Sequence, residues 1–504
     1  MVGASPIRAV ICAALAGATV AIGLLGAADA PARGGGNVFG FADFHLHITA
    51  DMRAGGKVIY GRAFSPGGPD AALGHDENDH GPNGALDVTG NLLRTGLPVG
   101  THDTDGWPTF DGWPAPDTYT HQQVYWRWLR RAWRSGERLV VAQTVEDQPL
   151  CRLEPLRSHS CDEMDTIKLE IARLRAMQDY IDRRSAGRGQ GWFRIVTSPN
   201  DARRVIQQGK LAVVIGMEAS NPFGCSEFEG VPQCTRADID SGLREFHRLG
   251  LRSMFIAHWV DNALAGAAFE GGAKGQFISA MEVEQTGHAF RSEPCETADE
   301  SGGRCNVKGL TNLGAYLVRQ LVASHMLIDV DHLSQKARRA VMAIAERHDY
   351  PVISSHTGTG GEWTHAQLRR LYADGGLASA TLGDPAALAQ RIVSFKQDAS
   401  PNHYFGVGLG SDTGGFNALP GPPPDADTEP LLYPFTSYDG TATFHRETMG
   451  QRTWDLNTDG VAHYGLVPDL LADTLRQPDG EEAERLLFRS AEAYLQMWAQ
   501  AHAG

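Results

Sequence analysis

Several signatures of common enzyme classes are missing from this 504-residue sequence. It contains no G-x-S-x-G, the nucleophile turn of many serine hydrolases, and no H-E-x-x-H, the zinc helix of many metalloproteases. No C-x-x-C occurs, which disfavours a cysteine-based zinc site. Lysine and arginine form no cluster and the net charge is −15, so the composition argues against nucleic acid as a partner.

The composition that is present is that of a globular protein with ample core, 42% hydrophobic and 21% charged. Arg8 precedes a run of small and apolar residues that ends in "ADA" at Ala28 to Ala30, which resembles a signal-peptidase site. We therefore predict a signal peptide over residues 1–30 and a secreted or extracytoplasmic protein. Cleavage after Ala28 and an uncleaved membrane anchor are the alternatives.

Six cysteines remain beyond that segment, and they lie in neighbouring couples. An even number of cysteines in an exported chain predicts disulfides rather than free thiols. The spacing favours three small local loops, closed by Cys151–Cys161, Cys225–Cys234 and Cys295–Cys305.

Strand and helix patterns alternate along most of the chain, and eight strands can be counted if the short "WFRIVTS" is set aside. Repeated βα units of this number predict a (β/α)8 TIM-type barrel, here with long loop insertions. We expect one hydrolase barrel over residues 31–504, with an insertion at about 49–137 and C-terminal helices from about 466. The insertion lacks periodicity, and its "GHDENDHGPNG" could suggest a metal site, although a solvated or substrate-facing loop is the favoured interpretation.

Polar residues that suit metal ions follow the ends of most of these strands. On the first strand, "VFGFADFHLHITA", alternate residues share a face, so His45 and His47 would project together. Asp43 either orients an imidazole or ends the strand. Because barrel active sites lie at the carboxyl ends of the strands, the remaining residues are expected at the same mouth: Glu218, His258, Asp331, His332, His356 and Asp412.

This many imidazoles and carboxylates are enough to bind two divalent cations, with one carboxylate bridging them. Two such ions can share a water molecule and lower its pKa toward ~7, and a carboxylate can accept the proton as hydroxide attacks. We therefore predict two divalent metal ions, zinc by the preference of imidazole, and a small-molecule substrate. A single-metal, deaminase-like site is the alternative.

The stretch from about Asn200 to Asp412 resembles the amidohydrolase superfamily, and within it the membrane (renal-type) dipeptidase family, peptidase family M19. The motifs, in order, are "GKLAVVIGMEAS", "LREFHRLGLRSMFIAHWVDNALA", "GLTNLGAYLVRQL", "MLIDVDHLSQKARRAV", "PVISSH" and "VGLGSD". The resemblance implies Glu218 as the bridging glutamate and His258 as the histidine that contacts the scissile group. It also implies His332 and His356 as metal ligands, and Asp412 at the end of strand eight.

Three features depart from that family. It usually has His-x-Asp on strand one, where this chain has His45-x-His47, and the arginine that binds the dipeptide carboxylate is missing from "TGTGGEWTHAQ" after strand six. The insertions after strands one and eight are also long. A dipeptide is therefore one candidate substrate, beside an ester, a lactone or an acyl-amino acid.

The leading hypothesis is a secreted binuclear metal-dependent hydrolase of an amide bond. His45, His47 and Asp412 would hold one metal and His332 and His356 the other, with Glu218 bridging; Asp412 would act as the base and His258 would polarise the carbonyl. The rival is an exported, non-catalytic metal-containing binding protein. A homodimer is left open, and a membrane is a partner only if the N-terminal segment is uncleaved.

Overall fold

Eight parallel strands close into a ring in the computed structural model, which describes Met1 and residues 36–295, 303–357 and 363–503. Each strand pairs with the next in chain order, and the first pairs with the last through Asp43 and Leu409. The strands are β1 (Phe41–Leu46), β2 (Glu137–Glu146), β3 (Leu211–Ala219), β4 (Leu251–Met254), β5 (Leu327–Asp329), β6 (Val352–Ser354), β7 (Leu377–Thr381) and β8 (Gly408–Gly410). The predicted (β/α)8 barrel is confirmed.

A ninth strand, Phe193–Ile195, adds to the start of β3. It is the "WFRIVTS" segment, which lies outside the ring because it pairs only with the first residues of β3, below the point where β4 takes over the same edge.

Helices surround the ring and fill the connections. Between and after the strands they span Gln148–Leu153, Glu163–Arg184, Pro199–Gln207, Arg236–Arg248, Gly272–Thr286, Asn312–Ala323, Gln335–Glu346, His365–Ala373, Pro385–Ser394, Leu456–Asp459, Val467–Arg476, Gly480–Leu487 and Ser490–Ala503. Several begin at a side chain that caps the first turn, as at Ser198, where the hydroxyl accepts from the Asp201 amide.

The connection between β1 and β2 contains more structure than its sequence indicates. Short helices span Gly68–Leu73, Glu77–His80, Val88–Thr95 and Trp126–Arg134. The interpretation of "GHDENDHGPNG" as a solvated or substrate-facing loop does not fit its polar residues Asp76 and His80, which are both buried. They are buried because other polar side chains of the same connection surround them, an arrangement that hydrophobic periodicity cannot reveal.

The described loops contain four small antiparallel strand pairs: Glu227–Phe228 with Val231–Pro232, Ser292–Pro294 with Arg304–Asn306, Phe435–Thr436 with Thr443–Phe444, and Glu447–Met449 with Arg452–Trp454. The three predicted disulfides are all present, Cys151–Cys161, Cys225–Cys234 and Cys295–Cys305. They close loops that follow β2, β3 and β4, so the covalent cross-links brace the carboxyl-end face of the barrel.

A second apolar cluster covers that face, apart from the main core. It joins Val58 of the insertion to Val145 at the end of β2, Trp259 after β4, Met281 of the long helix Gly272–Thr286 and Phe416 after β8. This helix was not predicted, because its buried residues are mostly small or polar, with Ile278 and Met281 as the large apolar ones. The mouth of the barrel is therefore walled by three loops rather than open.

The predicted signal peptide lies outside the described residues, apart from Met1. Within the described ranges, no helix has both the length and the apolar character needed to cross a bilayer. Residues from Val38 onward form one compact unit, and the predicted domain limits stay a prediction.

Candidate metal centre

Strand periodicity places the first two histidines together at the mouth of the barrel. His45 and His47 are both buried, and their Nε2 atoms lie 3.0 Å apart. Nδ1 of His47 donates to the carbonyl oxygen of Gln143 on β2, at 3.1 Å. A neutral His47 therefore has its lone pair on Nε2, directed at His45.

A second histidine pair lies opposite the first. His332 follows β5 and His356 follows β6, and their Nε2 atoms are 2.9 Å apart. Nδ1 of His356 lies 3.2 Å from a carboxylate oxygen of Asp331, which also accepts the backbone amides of His356 and Thr357. Asp331 thus fixes the tautomer that leaves Nε2 of His356 unprotonated.

Glu218, at the end of β3, lies between the two pairs. Its Oε2 is 3.5 Å from Nε2 of His45 and 3.4 Å from Nε2 of His47. Its Oε1 is 3.3 Å from Nε2 of His332 and 3.6 Å from Nε2 of His258. One carboxylate therefore presents Oε2 to His45 and His47 and Oε1 to His332 and His258, which is the geometry of a bridging ligand.

Asp412 completes the group of predicted ligands. Its Oδ1 is 3.1 Å from Nε2 of His47 and 3.6 Å from Nε2 of His45, and its Oδ2 accepts from the Asn417 amide. Asp412 and His332 both have a left-handed backbone, with φ of 48° and 60°. Aspartate and histidine tolerate this region better than most residues, but it still costs on the order of 1 kcal/mol. Such strain is typical of residues held in place for a function.

His258 is held from outside the ligand group. Its Nδ1 lies 2.7 Å from Oδ1 of Asp147, and Oδ2 of Asp147 accepts from the Arg53 guanidinium at 2.6 Å. Ser220 donates to the same Oδ1. Although burial opposes it, the charge and hydrogen bond of His258 and the charge of Arg53 hold the pKa of Asp147 well below its usual range. The sequence analysis missed Asp147, although it directly follows β2.

Asp43 has a structural role and touches neither imidazole. Its Oδ1 accepts the backbone amides of His45 and Ser411, and its Oδ2 accepts from the Tyr464 hydroxyl. Of the two interpretations open for Asp43, the strand-end one fits this geometry.

Buried carboxylates of this group raise the pKa of two of its histidines. Burial opposes a charged His47, yet hydrogen bonds to Asp412 and Glu218 raise its pKa to about 9. In His356, the Asp331 hydrogen bond overcomes burial in the same way and raises the pKa to about 10. Burial and the neighbouring His356 instead lower the pKa of His45 to about 4. Divalent cations would suit these donors better than protons do.

The donor set fits divalent metal ions. Oε1 of Glu218 is buried without a hydrogen-bond partner in the described structure, and the Nε2 lone pairs of His47 and His356 face other nitrogens. Three compact groups of potential ligands share this region: His45, His47 and Asp412; His45, Glu218 and His356; and Glu218, His258 and His332. Imidazole nitrogen and carboxylate oxygen are ligands that Zn²⁺ prefers.

A cavity of about 170 Å³ opens onto the centre. Glu218, His258 and Asp412 line it, together with Trp259, Glu270, Lys274, Asn417 and five further residues. Glu270 and Lys274 come from the loop and helix after β4, whose contribution the sequence did not suggest.

Comparison with known proteins agrees with the motifs. The sequence profile described as "Membrane dipeptidase (Peptidase family M19)" matches residues 286–367, which include His332 and His356. The curated protein "Dipeptidase ataJ" of Aspergillus terreus (strain NIH 2624 / FGSC A1156) is 25% identical over 280 residues, which is 52% of this chain and 60% of that protein. The chain thus spans about 60% of the length of this relative.

Two solved structures are similar at low identity. A dipeptidase AC described as a metallopeptidase of family M19 has a TM-score of 0.44 and 16% identity, over 73% of this chain and 88% of that one. A metallopeptidase from Rhodobacter sphaeroides, liganded with a phosphinate mimic of the dipeptide L-Ala-D-Ala, has a TM-score of 0.40 and 17% identity, over 58% and 78%. On the evidence of the sequence matches, the chain resembles the membrane dipeptidase family M19, as its motifs predict.

Proposed function

We propose that this chain is an exported hydrolase that uses two divalent metal ions, taken to be zinc, to cleave a dipeptide-like amide bond. The observation that carries the proposal is Glu218, of which one oxygen faces His45 and His47 and the other faces His332. A purely structural carboxylate would be satisfied by hydrogen-bond donors, whereas Oε1 of Glu218 has none among the described residues.

The proposed ligands divide into two sets. His45, His47 and Asp412 would hold one ion and His332 and His356 the other, with Glu218 shared. When bound, the ions would supply Lewis-acid polarisation of the carbonyl and a water molecule of lowered pKa.

Asp412 would take the proton in this scheme. Although burial opposes it, the hydrogen bond from His47 and the charges of neighbouring histidines hold the pKa of the Asp412 carboxyl well below its usual range, so it is anionic. The Asn417 amide holds its Oδ2 in place. The carboxylate can therefore receive a proton from water on one side of the centre and pass it to the leaving amine.

His258 would act on the carbonyl oxygen. The Asp147 carboxylate at 2.7 Å fixes Nδ1 as a donor and stabilises positive charge on the ring. Nε2 is then turned toward the centre, where a donor can stabilise negative charge that develops on the oxygen.

Lys274 is our candidate for the group that binds a substrate carboxylate. It is the single lysine or arginine among the described residues that line the cavity. Its Nζ lies 3.9 Å from Glu270 and 5.3 Å from the centre of the Trp259 ring, so Lys274 is only loosely paired. This cation could replace the arginine that the loop after β6 lacks.

The test is metal counting beside a hydrolysis screen on L,L- and L,D-dipeptides, acyl-amino acids, esters and lactones. We expect two ions per chain at this centre and turnover of at least one dipeptide. Asp412→Asn should keep its metal content while kcat falls by about 10²- to 10⁴-fold, the usual contribution of a general base. Full metal loading with no turnover on any substrate would favour the non-catalytic binding protein.

A further inference from the structure

A second group of metal-ligating side chains lies in the insertion between β1 and β2. Asp76 precedes the short helix Glu77–His80, His80 ends that helix, and His102 and His121 come from later loops. One ligand atom from each of the four lies within 4.8 Å of the others. The group shares no residue with the candidate metal centre, and its four side chains are at most 6% exposed.

The three imidazoles converge on a single oxygen. Oδ2 of Asp76 lies 3.2 Å from Nδ1 of His80, 2.9 Å from Nε2 of His102 and 2.5 Å from Nε2 of His121. Oδ1 of the same carboxylate is buried without a partner in the described structure. Each pair of rings is nearly perpendicular, at 85° to 88°. Three donors that served only to satisfy the carboxylate would be shared between its two oxygens. Three imidazoles directed at one point are instead the arrangement of ligands around a metal ion.

The tautomer of His80 identifies what is needed at that point. Its Nε2 lies 3.0 Å from the carbonyl oxygen of Val58, which can only accept, so the proton of a neutral His80 is on Nε2. Nδ1 then directs a lone pair at the Asp76 carboxylate. Two lone pairs face each other stably only if a cation, either a proton or a metal ion, lies between them.

Neighbouring groups surround two of the three imidazoles. Asp87 lies 3.7 Å from Nδ1 of His102, which has no hydrogen-bond partner in the described structure. His121 also stacks on Trp113, which fixes the plane of the imidazole.

We propose that Asp76, His80, His102 and His121 bind one zinc ion, or a similar divalent ion that prefers imidazole, as a structural site. Three neutral imidazoles and one carboxylate form a complete four-ligand set, and a closed set of protein ligands is typical of structural rather than catalytic zinc. The ion would tie together three segments of an insertion that has only short helices of its own. Metal binding of this kind contributes directly to folding free energy.

The first test is an anomalous diffraction measurement at the zinc edge on crystals of the full chain grown with zinc. We expect a peak among Asp76, His80, His102 and His121, separate from any peak at Glu218. Absence of density at the Asp76 group under these conditions would overturn the proposal, whatever is found at Glu218, and this measurement needs no variant.

The second test compares metal content between variants. His102→Ala and, separately, His121→Gln should each bind one zinc fewer per chain than the native protein and be cleaved faster by protease within the insertion. His75→Ala is the matched control, since His75 lies on the same loop with its side chain 64% exposed; its metal content should equal that of the native protein. Equal zinc content in His102→Ala, His121→Gln and His75→Ala would show that the group holds protons instead.

Discussion

Nδ1 of His258 lies 2.7 Å from one carboxylate oxygen of Asp147, and the other oxygen of Asp147 accepts a hydrogen bond from Arg53 of the insertion. The insertion is thereby connected to the proposed catalytic histidine through one buried carboxylate. The guanidinium of Arg53 also lies 4.2 Å from the centre of the Phe416 ring, after β8. Loops that follow three different strands therefore determine how His258 is oriented.

Replacing Asp147 by Asn should lower kcat by about 10- to 100-fold, the range found when a group that orients a functional histidine is removed. The amide can no longer stabilise positive charge on the ring, so the pH profile of kcat should shift as well. Steady-state kinetics across pH would measure both effects. Asp165→Asn is the matched control, because its side chain is 63% exposed on the outer helix Glu163–Arg184. Identical profiles for Asp147→Asn and the native enzyme would remove the role we assign to Asp147.

Lys274→Met should raise KM for substrates with a free carboxylate by about 10-fold or more, because a lost hydrogen bond to a charged group costs roughly 1.5–3 kcal/mol. Amidated versions of the same substrates should be affected little. Lys168→Met, at a surface pair on the outer helix Glu163–Arg184, provides the control. An equal rise in KM for free and amidated substrates would indicate a general packing defect instead of carboxylate binding.

Removal of metal should destabilise the fold, because lone pairs on His47 and His356 would then face other nitrogens unless protons are taken up. A ligand at 1,000 times its Kd stabilises by about 4 kcal/mol, so chelation should lower Tm measurably. Adding zinc back should restore the native Tm. If the chelated protein, shown by analysis to be metal-free, melts at the native Tm, the two centres do not bind ions in the folded state.

The buried pair of Arg131 and Asp469 joins the helix Trp126–Arg134 to the helix Val467–Arg476. Arg131→Met should cost about 3–5 kcal/mol, because the Asp469 charge would stay buried without its partner. The double variant Arg131→Met/Asp469→Leu should recover a large part of that loss. Urea denaturation of the native protein and the three variants, including Asp469→Leu, gives the coupling energy. A double variant no more stable than Arg131→Met would contradict this explanation.

Asp51 predicts a pH dependence of stability. Burial raises its pKa to about 7, against the opposing charges of Arg173 and Arg62. An acid whose folded-state pKa is raised destabilises the fold progressively as pH rises from the unfolded value, near 4, to about 7. Asp51→Asn should therefore match the native protein at pH 4 and exceed its stability by about 2–4 kcal/mol at pH 8. A difference in unfolding free energy that does not change with pH would refute the assignment.

The ring of strands could be predicted because its signals are local. β3 is a continuous apolar run that ends in Glu218, and runs of this kind between helical patterns specify a parallel barrel. Ligands that directly follow strands, such as His356, could be predicted for the same reason, since the fold itself brings strand ends together.

The residues that sequence reasoning missed depend on loops, whose course no periodicity describes. Asp147 follows β2 directly and could have been found by applying the strand-end rule there. Lys274 could not, because it reaches the cavity on a helix inserted after β4. Asp76 lies in "GHDENDHGPNG", for which a metal site was the less favoured interpretation, and its contact with His102 spans 26 residues with no regular spacing.

The ring closes only when β8 pairs with β1, and this has a consequence for how the protein matures. A ribosome that has not yet added Gly408 has made His45, His47 and Glu218 but not Asp412, and the sheet it has produced is an open arc. Binding of the two proposed metal ions is then a late event in biogenesis. Truncated chains would contain some of the metal ligands but would not enclose them in a closed barrel.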